Sequence, residues 1–292
     1  MGVVLLVGAS VCKATPASLQ ILTNPTIGGN NIVGKVFLDA PAPTGGEVVT
    51  LTPDVAIPDL PASVTVAAGA TYKAFSFTPN GVDSFVTFAI HAASGGKTIS
   101  QDLTVNAASL TTFSFSPNSI VGGNNTSGVV TLNGAAGPSG TVISLMNGSS
   151  KVVLPAAVTV PYNARTKAFT VVTGGVATIT PITNFAHQGS QPTINGTLTL
   201  EPAKILQLQL IQPRIVGGNN EMFSIRLDGV APAGGTVVNI TSSNPDANAP
   251  TSVTVPAGKY QMAFSFNPAG VDVEESALIT GTTGSASQEA TL

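Results

Sequence analysis

Few side chains in this sequence have the types that do chemistry: two histidines, one cysteine and some carboxylates that fall near one another. His91 and His187 have no Cys, Asp or Glu beside them at ligand spacing, whereas zinc needs several such donors converging on one point. Solvated or locally satisfied imidazoles are expected. Cys12 sits beside an apolar stretch without a nucleophile signature and reads as an inert small side chain. As a lone cysteine it also leaves no intrachain disulfide. Asp83 and Asp272 occupy matching places, in Asn-Gly-Val-Asp and Ala-Gly-Val-Asp, and Glu274 and Glu275 follow the second. Calcium takes six to eight oxygens, which this group does not supply, so solvated turns are expected. Tyr72, Tyr162 and Tyr260 each follow a Val-Thr-Val segment; they are the candidate partner contacts, although a turn tyrosine commonly covers a core edge. Asn124, Asn125, Asn147, Asn195 and Asn239 stand in Asn-Xaa-Ser/Thr sequons and are candidate glycosylation sites. No catalytic, cofactor or metal residue is assigned, and the chain is expected not to be an enzyme.

The elements that carry these residues are read from composition and repetition. Only 9% of residues are charged, while 43% are hydrophobic. Disorder needs the opposite balance, so a folded chain is expected, with Thr, Ser, Asn and Gln forming its solvent face. Net charge is −3 and no segment concentrates Lys or Arg, which removes the counterion-release term that drives nucleic-acid binding. The one strongly apolar run, Val3, Val4, Leu5, Leu6 and Val7, is far shorter than the roughly 20 residues a membrane span requires.

Self-similarity is the dominant feature. Gly-Gly-Asn-Asn occurs at 28–31, 122–125 and 217–220, and Val-Thr-Val followed by a Phe recurs at Val64–Val66 with Phe75, Val158–Val160 with Phe169 and Val253–Val255 with Phe264. Both landmarks keep a period of about 95 residues. Within each period the apolar residues alternate, as at Val36 and Leu38, Val49 and Leu51, Val64 and Val66, Phe75 and Phe77, which is the period-two pattern of strands buried on one face. About seven strands per repeat, with turn residues every 8 to 12 positions, predict an all-β fold of three tandem Ig-like β-sandwich domains: 18–107, 108–202 and 203–292. The corner glycines are expected to supply positive φ in a tight turn; a phosphate-binding role would need a helix after them, and none is predicted. Pro43–Gly46, Pro138–Gly140 and Pro232–Gly235 are expected to mark hairpin-like connections.

The last strand of the first repeat, Thr98–Val105, aligns with Thr193–Leu200 and Ser285–Leu292, so the third domain is expected to be complete at Leu292. Residues 1–17 have no counterpart in this plan. Three readings of them stand: a signal remnant with Ala14 or Ala17 at its cleavage point, the tail of a longer repeat array, or a strand that pairs with the sheet edge of another subunit.

On the corners Val121–Asn125 and Val216–Asn220, and on Ser252–Gly258 (Ser-Val-Thr-Val-Pro-Ala-Gly), the chain resembles bacterial or archaeal Ig-like surface repeat proteins. The first repeat departs from that motif with Ala67 in place of Pro. The resemblance implies an extracellular or cell-surface location and service as a stalk, adhesin, surface layer or filament subunit. Some sandwiches of that kind carry Lys–Asn isopeptide bonds. Lys73 and Lys167 match each other, but the third copy has Met262, which excludes a cross-link shared by all repeats. The expectation is a non-enzymatic structural subunit of an extracellular filament or surface layer, joined by strand exchange through Val3–Val7. The alternative is an adhesin or ligand-binding stalk. Partners expected on this reading are further copies of the chain, with glycans or other surface proteins next.

Overall fold

Alternation of buried and exposed side chains along each long strand is what the sequence pattern requires, and the computed structural model shows it. The model describes residues 13–292; Cys12 and the apolar run at 3–7 lie outside the described residues. The first repeat forms β1 (Pro16–Ile21), β2 (Thr26–Ile27), β3 (Ile32–Leu38), β4 (Glu47–Pro53), β5 (Ser63–Val66), β6 (Tyr72–Phe77), β7 (Val86–Ser94) and β8 (Lys97–Asn106). The second forms β9 (Leu110–Ser116), β10 (Ser119–Val121), β11 (Thr126–Leu132), β12 (Thr141–Met146), β13 (Val152–Val153), β14 (Ala157–Val160), β15 (Thr166–Thr173), β16 (Thr180–His187) and β17 (Ile194–Glu201). The third forms β18 (Ile205–Leu210), β19 (Glu221–Leu227), β20 (Thr236–Ser242), β21 (Ser252–Val255), β22 (Gln261–Phe266), β23 (Leu278–Thr283) and β24 (Ala286–Thr291).

Each repeat makes two sheets. In the first, β1-β3-β6 is one and β2-β8-β7-β4-β5 the other. In the second the orders are β13-β15-β11-β9 and β10-β17-β16-β12-β14; in the third, β18-β19-β22 and β21-β20-β23-β24. The chain is all-β, in tandem Ig-like sandwiches. By packing it forms two compact units. The first runs to Thr111 and adds Thr131–Ile143 and Thr159–Lys167; the second comprises Thr112–Val130, Ser144–Val158 and Ala168–Leu292. The middle repeat therefore contributes residues to both.

In the first sandwich Val36, Val66, Phe77, Ile90 and Leu103 are fully buried between the sheets, and in the third Phe223, Ile225, Val238, Val255 and Ile279. Burial of each large side chain contributes about 1.5–3 kcal/mol, which, with no disulfide among the described residues, is the main source of stability. β3 and β11 also carry a notch. A Cβ on Gly34 would overlap the Phe75 ring, and one on Gly128 the Phe169 ring. The third repeat reverses the arrangement: Phe223 takes the notch position and stacks on Phe264 at 5.1 Å and Phe266 at 4.5 Å.

Three expectations are corrected. The Pro43–Gly46 turn is not a hairpin, because β3 and β4 belong to different sheets; it carries the chain across the sandwich, as do its counterparts. The repeats have eight, nine and seven strands among the described residues, because the short parallel strands β2 and β10, which pair with β8 and β17, have no counterpart in the third and the two-residue β13 occurs in the second; all are too short to show as alternation. The first sandwich also begins ahead of Ser18: β1 opens at Pro16, and Ala14 is buried in the core.

A clasp at that opening recurs in every repeat. The Asp39 amide donates to the Thr15 carbonyl while the Asp39 carboxylate accepts the Thr15 amide (2.8 Å) and hydroxyl (2.5 Å). Asn133 makes the same reciprocal pair with Ser109, and Asp228 with Lys204. The Thr15 hydroxyl, then its amide, hold the Asp39 pKa below the usual carboxylate value. The bond from His91, followed by the Ala89 amide, does the same for Asp54.

Two outcomes are expected. Gly34→Ala or Gly128→Ala should destabilise the chain by about 1–3 kcal/mol through overpacking against the phenylalanine ring, read from urea unfolding. Lowered carboxyl pKa values stabilise the fold above the unfolded value of about 3.9, and that stabilisation is lost as pH falls through the lower folded values. Asp39→Asn, which retains the clasp as Asn133 does, should shrink the difference in urea midpoint between about pH 6 and about pH 2.5.

Candidate functional site

The Gly-Gly-Asn-Asn corners do more than turn the chain, and their two glycines have separate causes. The second, Gly29, Gly123 and Gly218, has φ of 81, 96 and 85°, which disfavours any residue with a Cβ. The first has no such φ; it is held against a loop of its own repeat. A Cβ on Gly28 would lie 2.5 Å from the Asn80 carbonyl oxygen, one on Gly122 2.6 Å from the Gly174 oxygen, and one on Gly217 would overlap the Ala269 oxygen. Corner and loop together make a small platform of bare backbone.

The following repeat seats on that platform. Its contact is the turn that leaves the second long strand: Gly134-Ala135-Ala136 in the second repeat, Gly229-Val230-Ala231 in the third. In the first joint the Ala135 amide donates to the Gly28 carbonyl at 2.7 Å, and in the second the Val230 amide donates to Gly122 at 2.9 Å. The approach is so close that side chains are excluded on both partners. A Cβ on Gly134 would overlap the Gly28 oxygen, and one on Gly229 would lie 2.5 Å from the Gly122 oxygen. On the platform, a Cβ on Gly81 would overlap the Ala136 carbonyl and one on Gly175 the Val230 carbonyl. Each joint lies wholly within one of the two compact units.

Side chains then distinguish the two joints. In the first, the Asp83 carboxylate accepts the Ser139 amide at 3.1 Å and its hydroxyl at 2.8 Å. Gly137, on the same turn, must be bare because a Cβ there would overlap Asp83. The Gly81 amide donates to Asn163 Oδ1 at 3.1 Å, and the Arg165 guanidinium donates to the Gly29 carbonyl. In the second joint Ala177 stands where Asp83 does, and Pro232 where Gly137 does. There Asn124 Nδ2 donates to the Asp228 carbonyl at 2.9 Å, and Val121 packs against the third core. Asp83 was singled out in the sequence as a solvated turn residue; its partner on the next repeat is visible only in three dimensions. The sequence signal for the rest was present in Gly134 and Gly229, at equal positions in consecutive repeats.

The other predicted residues fall in separate places. Tyr72, Tyr162 and Tyr260 are about half exposed, but they sit at three different positions: at the start of β6, in the turn before β15, and in the segment before β22. Tyr72 stacks on Phe37 at 5.6 Å. All five sequon asparagines are exposed, although the Asn124 amide nitrogen is engaged at the second joint. His91 Nε2 lies 3.0 Å from Asp54 Oδ1, a locally satisfied imidazole. Among the described residues no three His, Cys, Asp or Glu side chains converge as metal ligands, and no helix is long and apolar enough to cross a membrane. Glu274 and Glu275 instead pair with Arg214 and Asn244.

No protein-family model matches the sequence, and neither does any curated protein. The comparison with solved structures returns tandem Ig-like domains. Invasin, a bacterial integrin-binding protein, is 14% identical over 94% of this chain and 59% of its own, with a TM-score of 0.40. Titin domains A168–A170 are 12% identical over 94% of this chain and 96% of theirs, with a TM-score of 0.37. The D0-D1 domain of intimin is 11% identical over 62% of this chain and 95% of its own, with a TM-score of 0.28. Likeness at that level carries no functional argument, and the fold stands on the sheets themselves.

A double-mutant cycle on Asp83→Ala and Ser139→Ala should return a coupling of about 0.5–1.5 kcal/mol, the worth of the exposed charge-assisted bond from the Ser139 hydroxyl, since the Ser139 amide survives the substitution. Urea unfolding of the four proteins measures it; additive effects would show that the two side chains do not act together.

Proposed function

We propose that this chain is a non-enzymatic structural subunit of an extracellular assembly, a filament or surface layer, whose Ig-like repeats are fastened corner to turn. The observation that supports the reading is the joint itself. Consecutive sandwiches that serve only as independent modules need no more than a linker, and inter-domain contacts of that kind are mobile by default. Here two successive joints use the same backbone hydrogen bond and the same bare glycines on both partners. A repeated close backbone contact fixes the position of one repeat on the next, which is what a structural spacing element requires.

Self-association is assigned to the apolar segment Val3–Val7, by addition of a strand to a sheet edge of a neighbouring subunit. Alternate side chains of a strand added in this way fill pockets along the edge, and a head-to-tail contact that does not close generates fibres. Removal should stop at Cys12, because Ala14 and Thr15 belong to the first sandwich.

The test images purified full-length chain and chain lacking residues 1–12 by negative-stain electron microscopy. Polymers from the full chain that vanish on deletion are expected. Polymers that survive the deletion would overturn strand exchange, and monomers from both proteins would overturn self-assembly in favour of an adhesive stalk.

A further inference from the structure

Among the described residues the platform that receives the next repeat occurs three times and is covered twice. In the third repeat it is open. Around Gly218 and around Gly270 a Cβ would meet nothing within 4 Å, whereas their counterparts, Gly29 and Gly123, Gly81 and Gly175, are all pressed against the following turn. Val216 is 74% exposed; its counterpart Val121 packs against the next core, and its counterpart Ile27 reaches Gly134. Val271 is likewise exposed at 42% where Val82 is packed on the first core and Val176 is buried. Beside these residues lies a cleft of about 500 Å³ whose lining includes Val216, Gly217, Ala269, Val271 and Asp272.

The platform is otherwise formed. Gly218 keeps its positive φ, its amide still donates to the Pro268 carbonyl, and the Asn219 amide closes the turn on Val216. One element is missing: the segment before the corner, residues 214–216, forms no strand, although its counterparts β2 and β10 pair with the last strands of their repeats. Asp272 occupies the Asp83 position and, unlike Asp83, has no hydrogen-bond partner among the described residues.

We propose that this open corner docks a further Ig-like repeat, one whose turn after the second long strand reads Gly-Xaa-Ala-Gly-Xaa-Ser. Continuity with the two existing joints defines the occupant. The first glycine clears the Gly217 carbonyl, the Xaa amide donates to it, the second glycine leaves room for the Asp272 carboxylate, and the serine amide and hydroxyl donate to that carboxylate. Repeat two, which faces Asp83, has this turn as Gly134–Ser139; repeat three, which faces Ala177, has Pro232 and Gly234 at the last two diagnostic places. An acid on the platform thus goes with glycine and serine on the turn.

A second copy of this chain does not fit. Its repeat-two and repeat-three turns are already used, and its first repeat reads Ala40-Pro41-Ala42-Pro43-Thr44-Gly45. Ala40 would place a Cβ where a docked carbonyl must lie, Pro41 has no amide proton to donate, Pro43 would meet Asp272, and Gly45 lacks the hydroxyl. The first repeat is capped against the joint; the third is not. This inference is independent of strand exchange through residues 3–7, since assembly by that route survives changes at the corner.

The test converts the cap into the missing turn. The full chain carrying Ala40→Gly, Pro41→Ala, Pro43→Gly, Thr44→Pro and Gly45→Ser presents the repeat-two turn on its first repeat, and circular dichroism with urea unfolding confirms that it folds. Sedimentation at up to about 1 mM, near the effective concentration a short linker supplies to the internal joints, should show end-to-end association of this variant beyond anything seen for the wild type. Asp272→Ala or Gly218→Val added to the grafted chain should weaken it roughly tenfold or more, the loss of one well-placed hydrogen bond or of the platform itself. Hydrogen exchange should slow at residues 214–218 on association. A folded grafted chain that associates no more than wild type, or association indifferent to both corner substitutions, overturns the docking proposal. Wild-type association that Gly218→Val abolishes overturns the cap and makes a second copy the occupant.

Discussion

Two stretches of backbone can approach to hydrogen-bonding distance only where neither carries a side chain in the way, and that constraint organises the contacts between repeats in this protein. At the first joint the Gly28 carbonyl accepts the Ala135 amide beside Gly134, and Gly81 leaves room for the Ala136 carbonyl; at the second Gly122 and Gly175 meet Gly229 and Val230 in the same way. Because the glycines are required on both surfaces, the contact is selective without charge or large side chains. The same rule operates inside the sandwiches, where Gly34 and Gly128 admit a phenylalanine ring from the neighbouring strand of the same sheet.

Selectivity is refined by a few polar groups placed at the rim of each joint. Asp83 with Ser139, Asn163 with Gly81 and Arg165 with Gly29 belong to the first; Asn124 with the Asp228 carbonyl belongs to the second. Each is exposed or half-exposed, so its energetic contribution is modest. Their effect is to discriminate: a proline facing an aspartate, or an alanine facing a carbonyl, produces a clash or an unmet donor, and the penalty for a mismatch exceeds the gain from a match.

The fold explains why so polar and weakly charged a surface suffices. Each sandwich is closed by its own clasp, in which residue 39, 133 or 228 holds the start of the first strand by two reciprocal hydrogen bonds. Asn133 performs that task without a charge, and Asp39 with one, so the carboxylate adds acid sensitivity to a geometry that does not need it.

The sequence alone determined the repeat, its period and the strand faces, because burial on one side of a sheet imposes a period of two that Val36, Leu38, Val49 and Leu51 display directly. It also showed that the corners turn through glycine. What it could not separate were the reasons for adjacent glycines: Gly29 is needed for its dihedral angle and Gly28 for clearance, and clearance depends on atoms about fifty residues away at Asn80 and Gly81. Likewise Asp83 read as a solvated acid until Ser139 was placed beside it, and Pro43–Gly46 read as a hairpin until its flanking strands were assigned to different sheets. Local periodicity is written in neighbouring residues. Contacts between repeats join positions far apart in the chain: the matching Gly134 and Gly229 mark them in the sequence, but which backbone these glycines clear, only the tertiary structure could decide.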